Sequence, residues 1–489
     1  MRAIVGAGER APILAAGAVL GPLAALGLTV VMGYPIMPVA AAIALLTVLV
    51  LRYRSLLSWQ GLVAGLFLVI LLVPIRRYRM PVELPFELEP YRVVVALVAA
   101  AWITSLLIDP RVRLRRGGFE APLVLFAVGA VGSVLANDAR ITSLGVESKV
   151  VKELTFFASY VLVFYLIVSV ARSERAVNFL IKLLVVVASV VALLAVYEAR
   201  TGWNPFDHLG VIPFLQPDIE LDIATRGGRF RALGPAQHPI ALGAALVVVL
   251  PLAIYLACTR RQRRWWFAVG ALALGILAPF SRTSVVMLLV VGLVFLWLRP
   301  RQTRRLWPAL LPLLVVVHFA LPGTIGGLKA SFFPEGGLIA DQSRSVGSRG
   351  QGRVADLSPS LAEYAEKPIL GQGFGTRVVA GENPNAQILD NQWLKTLLET
   401  GIVGAGAFAW LFIRAIRRTA AAAKADHSER GWLLVALTAS IAAFALGMLT
   451  FDAFSFIQIT FLAFIMLSLA SVELARTQRA GLPRGRLPQ

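Results

Sequence analysis

The stretch LDNQWLKTLLETGIVG, residues 389–404, enters an apolar run through Asp390, Asn391 and Gln392 and then carries Lys395 and Glu399 inside it. On a helix turning about 100° per residue, Asn391, Lys395 and Glu399 share one stripe, with Gln392 and Thr396 beside it. Leu394, Leu397 and Gly401 lie on the opposite side. The setting decides how this stripe is read. The 489-residue chain is 58% hydrophobic and 15% charged, its mean hydropathy is +0.75, and apolar segments recur from end to end. A soluble domain of this length could not hide so much apolar surface. The expected fold is an all-α polytopic membrane protein forming a single integral membrane domain over residues 1–489. At the centre of a membrane helix each Asp or Lys costs roughly 2.5–3.5 kcal/mol, so the stripe is expected to face a wet cavity.

Apolar segments fall near 11–32, 35–51, 57–75, 91–108, 121–136, 154–171, 177–197, 238–257, 266–280, 284–298, 306–322, 392–413, 432–450 and 453–474. They predict about 12–14 transmembrane helices, although several are shorter than the roughly 20 residues of a straight span. The first segment reads as an uncleaved anchor, because another apolar run follows it directly. The net charge of +20 is gathered in short loops such as RVRLRR (111–116), RRQRR (260–264) and RPRQTRR (299–305). Such clusters fix orientation and attract anionic lipid, and nucleic-acid binding is set aside. With the N-terminus inside, the cytoplasmic loops are short and dense in Lys and Arg. One cluster disagrees: RRYRM (76–80) falls outside, so either segment 57–75 is re-entrant or those arginines face anionic headgroups.

This topology puts two long polar segments on the extracytoplasmic side, 198–237 and 323–391. Loops of that length are uncommon unless functional. The longer is expected to contain short helices, one entered at Ser358 with Pro359 and Glu363 in its first turns and ended by Pro368 and the glycines of GQGFG (371–375). GQGFG follows no strand and reads as a turn, not a nucleotide loop. The single cysteine, Cys258, excludes a disulfide framework and reads as a small apolar filler. His208, His238, His318 and His427 are scattered without metal-ligand spacing, so neither a metal nor a cofactor is expected.

The same topology gathers Asp390 and three arginines on one side: Arg231, before a span; Arg282, at the tip between two short apolar runs; and Arg353, in the long loop. Arginine suits a phosphate, because its planar fork gives bidentate hydrogen bonds and stays charged. Each could instead anchor a headgroup or pair with an acid. Asp390 is a candidate general base or a helix N-cap, a role Asn391 could equally fill. Lys395 and Glu399, spaced i, i+4, either pair with one another or serve the site. Arg229, His238, Asn391 and Gln392 are further lining candidates.

RALGPAQHPIALG (231–243), FSRTS (280–284), PILGQGFG (368–375) and DNQWLKTLLETGIVG (390–404) occur in this order on one side of the membrane. Together they resemble the O-antigen ligase and O-antigen polymerase (Wzy-type) superfamily, over roughly residues 229–404. The resemblance implies a GT-C-type bacterial inner-membrane glycosyltransferase, metal-independent and inverting. Its donor would be a polyprenyl-diphosphate-linked glycan, bound with membrane lipid around it at a site facing the periplasm or cell exterior. Arg231, Arg282 and Arg353 would grip the diphosphate, and Asp390 would act as base. Ligases of this family typically carry His where this chain has Asp390, so polymerisation of surface polysaccharide repeats is the preferred reading, with a chain-length regulator protein as a candidate partner. Ligation of finished polymer to a lipid or cell-wall acceptor is second. A polysaccharide or lipid transporter is the rival from another class; against it, no duplicated half is seen, and Asp452 sits at a tip rather than in mid-membrane.

Overall fold

Twelve of the fourteen apolar segments fall on residues the structure describes, and every one of them is helical. The computed structural model describes residues 58–81, 89–108, 112–212, 214–218, 225–226, 229–260, 262–305, 308, 310–333, 357–377 and 389–480. Segments 11–32 and 35–51, with the anchor expected there, lie outside the described residues. The chain divides into two compact units, residues 1–63 and 64–489, and the second is the subject below.

The helices are α1 (Trp59–Leu72), α2 (Pro90–Ile108), α3 (Glu120–Ala136), α4 (Asp138–Leu144), α5 (Glu147–Val170), α6 (Glu174–Thr201), α7 (Pro239–Thr259) and α8 (Arg263–Leu277). They continue with α9 (Arg282–Leu298), α10 (Pro300–Arg305), α11 (Leu310–Ala320), α12 (Thr324–Phe332), α13 (Leu357–Glu366), α14 (Gln392–Ala425), α15 (Glu429–Gly447) and α16 (Ile457–Ala480). Among the described residues the strands are two short antiparallel pairs, β1 (Tyr78–Arg79) with β2 (Gln216–Pro217) and β3 (Thr225–Arg226) with β4 (Arg229–Phe230). This is an all-α multi-pass membrane protein.

Seven described helices are long and apolar enough to cross a bilayer: α2, α5, α6, α7, α14, α15 and α16. The count becomes eight if α3 and α4, bent by 67° at Asn137, form one span. Among the described residues, α1, α8, α9 and α11, with 14, 15, 17 and 11 residues, fall short of a straight span, and two more of the expected segments lie outside the described residues. α16 is buried along its whole apolar length, with α7 and α15 nearly so, and these three form the centre.

The two ends of the bundle differ in chemistry. At one end Arg299 donates to the carbonyls of Ala423 (2.8 Å) and Asp426 (2.5 Å). There too Arg260 pairs with Glu429, and Arg430 and Arg476 with Glu473 (3.2 and 2.6 Å). Cys258 is exposed at this end of α7, so it fills no core space. At the other end lie the chain between α6 and α7, the described parts of 323–391, and RRYRM. Arg77 is buried, pairs with Asp207 (2.8 Å) and donates to the Ala236 carbonyl. RRYRM therefore shares an end with the described parts of the 198–237 loop, where the alternation of apolar segments puts it although its charge goes against the rule.

At that end α14 is broken. Gly401 has φ 61° and ψ −164°, a region essentially restricted to glycine, and the carbonyls around the break lose their helical donors. The segment Pro368–Arg377 inserts there and replaces them. The amides of Gln372 and Gly373 donate to the carbonyls of Leu398 (2.8 Å) and Glu399 (3.1 Å). Past the break, the amides of Ile402 and Val403 donate to the carbonyls of Pro368 (2.8 Å) and Ile369 (3.4 Å). The approach is so close that a Cβ on Gly401 would lie 2.2 Å from the Ile369 oxygen, and one on Gly371 would lie 2.6 Å from Leu398 and Glu399 backbone atoms. Phe374 anchors the segment, its ring 6.1 Å from Phe126 and 6.2 Å from Phe454. GQGFG is thus a turn, as expected, but one buried against a broken helix. α13 starts at Leu357, so Ser358 lies within it and is not its cap; it ends before Pro368 as the sequence predicts.

Gly401→Ala should therefore lose folded protein sharply, at a cost of at least about 1–3 kcal/mol from backbone strain alone. Gly406→Ala, where an added Cβ meets nothing within 4 Å, should leave the melting temperature in detergent unchanged.

Candidate active site

Three motif ends are tied together by the turn between α15 and α16, residues 448–456. Gln392, the first residue of α14, is fully buried; its amide donates to the carbonyls of Met448 (2.9 Å) and Phe451 (3.1 Å), and its side-chain oxygen accepts from the Phe454 amide (2.8 Å). The hydroxyls of Thr450 and Thr283 share a 3.0 Å hydrogen bond, which fixes the start of α9 to the same turn. Gln237, just before α7, accepts from the Ile457 amide (3.0 Å), and the His238 ring stacks on Phe456 at 5.5 Å. One turn therefore locates the N-termini of α7, α9 and α14, the helices that follow Arg231, begin with Arg282 and follow Asp390.

The two residues before α14 divide their roles. Asn391 caps the helix, its side-chain oxygen accepting from the Leu394 amide (3.2 Å). Asp390 stands one residue further out, half-buried, and is not the cap. Below it Lys395 is buried and pairs with Asp452 (2.9 Å), whose carboxylate also accepts from the Ser455 hydroxyl (2.6 Å). Lys395 therefore does not pair with Glu399 one turn on. The Glu399 carboxylate, also buried, accepts from the Arg377 amide at 3.4 Å. Asp452 lies at the tip between α15 and α16, as the sequence reads, and there it neutralises the buried lysine.

Arg231 is half-buried and donates through Nε to the Pro279 carbonyl (3.0 Å), three residues before Arg282. Its loop is held from beneath by Glu198, which accepts from the amides of Leu233 (2.9 Å) and Gly234 (2.8 Å). Arg282 is the half-buried first residue of α9. Its preceding residue, Ser281, has N-cap backbone geometry but makes no side-chain cap, so the positive end of the α9 dipole adds to the guanidinium. His238 accepts from the Ile240 amide through Nδ1 (3.1 Å) and caps α7, which commits that nitrogen to structure. Arg229 is exposed and donates to the Pro322 carbonyl, against α11 and α12 rather than the turn. Arg353 lies outside the described residues.

Beside this site runs an apolar groove of about 650 Å³ between α9, α14 and α15. Trp393, Leu293, Trp297, Phe412, Leu446 and Leu449 are among its walls. Trp393 directly follows Gln392, and its indole N–H is held by the Ala445 carbonyl (2.8 Å), so one end of the groove meets the start of α14.

The sequence reading missed Asp452, Arg377 and its ion-pair partner Glu363. It also missed Lys149 and Glu153 on α5, which lie within electrostatic reach of Lys395 and Glu399. Charges inside apolar segments were the available signal; FDAFSF around Asp452 carried it weakly.

Residues 267–409 match the family model described as O-antigen ligase. The matched span runs from α8 into α14 and takes in Arg282, the inserted segment 368–377 and Asp390. No curated protein matches the chain.

The Lys395–Asp452 pair gives a stability test. Lys395→Met or Asp452→Leu alone strands a buried charge and should cost about 3–5 kcal/mol, whereas the double variant should recover much of that. Melting curves of the three proteins in detergent would read it.

Proposed function

Taking the chain as the member of the O-antigen ligase and polymerase superfamily that residues 267–409 mark it to be, we propose that it transfers a glycan from a polyprenyl diphosphate to a sugar hydroxyl. The reaction takes place outside the cytoplasm, on the end of the bundle away from the basic loops. The observation that carries this reading is the common anchoring of the α9 and α14 N-termini on one turn, which sets an arginine and a carboxylate on a shared support.

In this reading Arg231 and Arg282, with Arg353, hold the donor diphosphate, and the α9 N-terminus faces the same charge. As the bond between the anomeric carbon and the phosphate oxygen breaks, negative charge grows on the diphosphate and is met by these donors, in the place a divalent cation takes elsewhere. Asp390 accepts the proton of the acceptor hydroxyl as its oxygen bonds the anomeric carbon from the opposite face, with inversion. Asn391, not Asp390, caps α14. The apolar groove beside Trp393 suits a prenyl chain lying in the bilayer. Polymerisation of repeat units is the preferred outcome, because Asp390 stands where ligases typically carry His, and a separate chain-length regulator is a further partner. Ligation of finished polymer is the second reading, favoured by the description of the matching family.

Purified protein given its host's lipid-linked repeat unit should build a ladder growing by one repeat. Asp390→Asn should slow it by about 10²–10⁴-fold, the usual worth of a general base. Arg282→Lys, which keeps charge but loses the bidentate fork, should slow it by about 10²-fold. A single shift, appearing only with a distinct acceptor, would establish ligation. Full activity of both variants at normal abundance would end the assignment of these residues.

A further inference from the structure

The cluster RRYRM breaks the charge rule of the rest of the chain, and its arginines have different fates. Arg77 is buried in its pair with Asp207 and its bond to the Ala236 carbonyl. Arg79 is exposed and lies 3.6 Å from Asp218. Arg76 is different. Its backbone has φ 65°, a left-handed conformation that is uncommon for residues other than glycine and, when held, marks places where strain serves a function. The conformation is held by Glu89, which accepts from the Arg76 amide at 2.7 Å. The guanidinium makes no hydrogen bond or ion pair with a described residue, and its Nε is buried without a partner.

The surroundings repeat the pattern. Glu89 is buried, and its second oxygen accepts from Arg92 (3.0 Å). Lys152 on α5, half-buried, acts electrostatically on the same carboxylate and makes no hydrogen bond or ion pair with a described residue. Three cations thus surround one acid. The Tyr160 hydroxyl, also on α5, is buried without a partner, within electrostatic reach of both Arg76 and Asp452. Asp452 belongs to the turn that anchors α9 and α14, so this charged cluster lies within electrostatic reach of the candidate active site. Its cations come from other elements, the chain between α1 and α2 and helix α5, than those carrying Arg231 and Arg282.

Two cations thus lack a hydrogen bond or ion pair among the described residues: Arg76, a guanidinium suited to bidentate binding of phosphate, four residues past the end of the apolar helix α1, and Lys152, in the second turn of α5. An anion at headgroup depth fits them. We propose that Arg76 and Lys152 bind the diphosphate of a second lipid-linked glycan, the acceptor. This rests on the transfer reaction proposed above. A polymerase must hold two lipid diphosphates at once, whereas a ligase holds one, so a second cationic site in the first half of the chain supplies what polymerisation requires.

The test is the stoichiometry of a short-chain polyprenyl diphosphate on the purified full-length protein, by native mass spectrometry, with repeat transfer followed in parallel. Wild type should bind two molecules, and Arg76→Gln with Lys152→Gln should bind one. In transfer, that variant should raise KM for the lipid-linked acceptor by about tenfold or more, as losing hydrogen bonds to a charged group does, with KM for the donor unchanged. Arg76→Lys should recover part of the loss, Arg79→Gln should change nothing, and all variants should melt as wild type does. One molecule bound by wild type and variant alike, with transfer intact, would overturn the second site and leave the proposed function standing. None bound and no transfer would overturn both. If phosphatidylglycerol fills the second position as well as the diphosphate does, Arg76 and Lys152 serve bulk anionic lipid and the proposal falls.

Discussion

A backbone amide or carbonyl left without a partner in hydrocarbon costs several kcal/mol, and that constraint governs the half of the bundle that carries the candidate site. Breaking α14 at Gly401 exposes backbone groups at membrane depth. The chain meets the cost by inserting Pro368–Arg377 into the break, so each irregular segment supplies the other's partners. The bend at Asn137 joins the same arrangement. Its side chain donates to the carbonyls of Ser133 (2.8 Å) and Gly371 (3.0 Å), while the Ser133 hydroxyl donates to the Glu399 carbonyl (2.5 Å). Three departures from regular helix brace one another, and none of them could stand alone in lipid.

The short half-helix left above the break explains where the charges sit. Lys395 and Glu399 are tolerable in the bundle because partners come from elsewhere, Asp452 from the turn before α16 and Arg377 from the inserted segment. A buried pair of this kind adds little net stability but penalises any packing that separates it. It therefore pins the start of α14 to the same turn that Thr450 pins to α9.

What the sequence made legible follows the range of the interactions. Hydropathy over about 20 residues is a local signal, and each apolar segment on described residues is a helix. Which loops share an end of the bundle was legible too, from the alternation of apolar segments, and the basic cluster at Arg77 is satisfied by contacts within its own end. Long-range pairing was not legible. Nothing in the spacing of Lys395 and Glu399 reveals that the lysine's partner is 57 residues away, and the helical i, i+4 rule suggested a nearer one. Glycines 371, 373 and 375 announced a turn without revealing that it would lie inside a broken helix. Arg76 and Arg77 are indistinguishable as letters; only the fold commits the Arg77 guanidinium to Asp207 and leaves that of Arg76 without a hydrogen bond or ion pair among the described residues.

Gln458, near the start of the last helix, donates to the carbonyls of Ile70 (2.9 Å) and Leu71 (3.4 Å), more than 380 residues earlier, and the bend at Asn137 waits on residues near 400. A ribosome delivers these groups in strict order. Early helices must therefore persist in the membrane with the carbonyls of Ile70 and Leu71, and the side chains of Ser133 and Asn137, still lacking these later partners until nearly the whole chain has been inserted. The bundle closes from its C-terminal end, and a nascent chain stalled before α14 would present to the cell's quality control the very groups that the finished protein conceals.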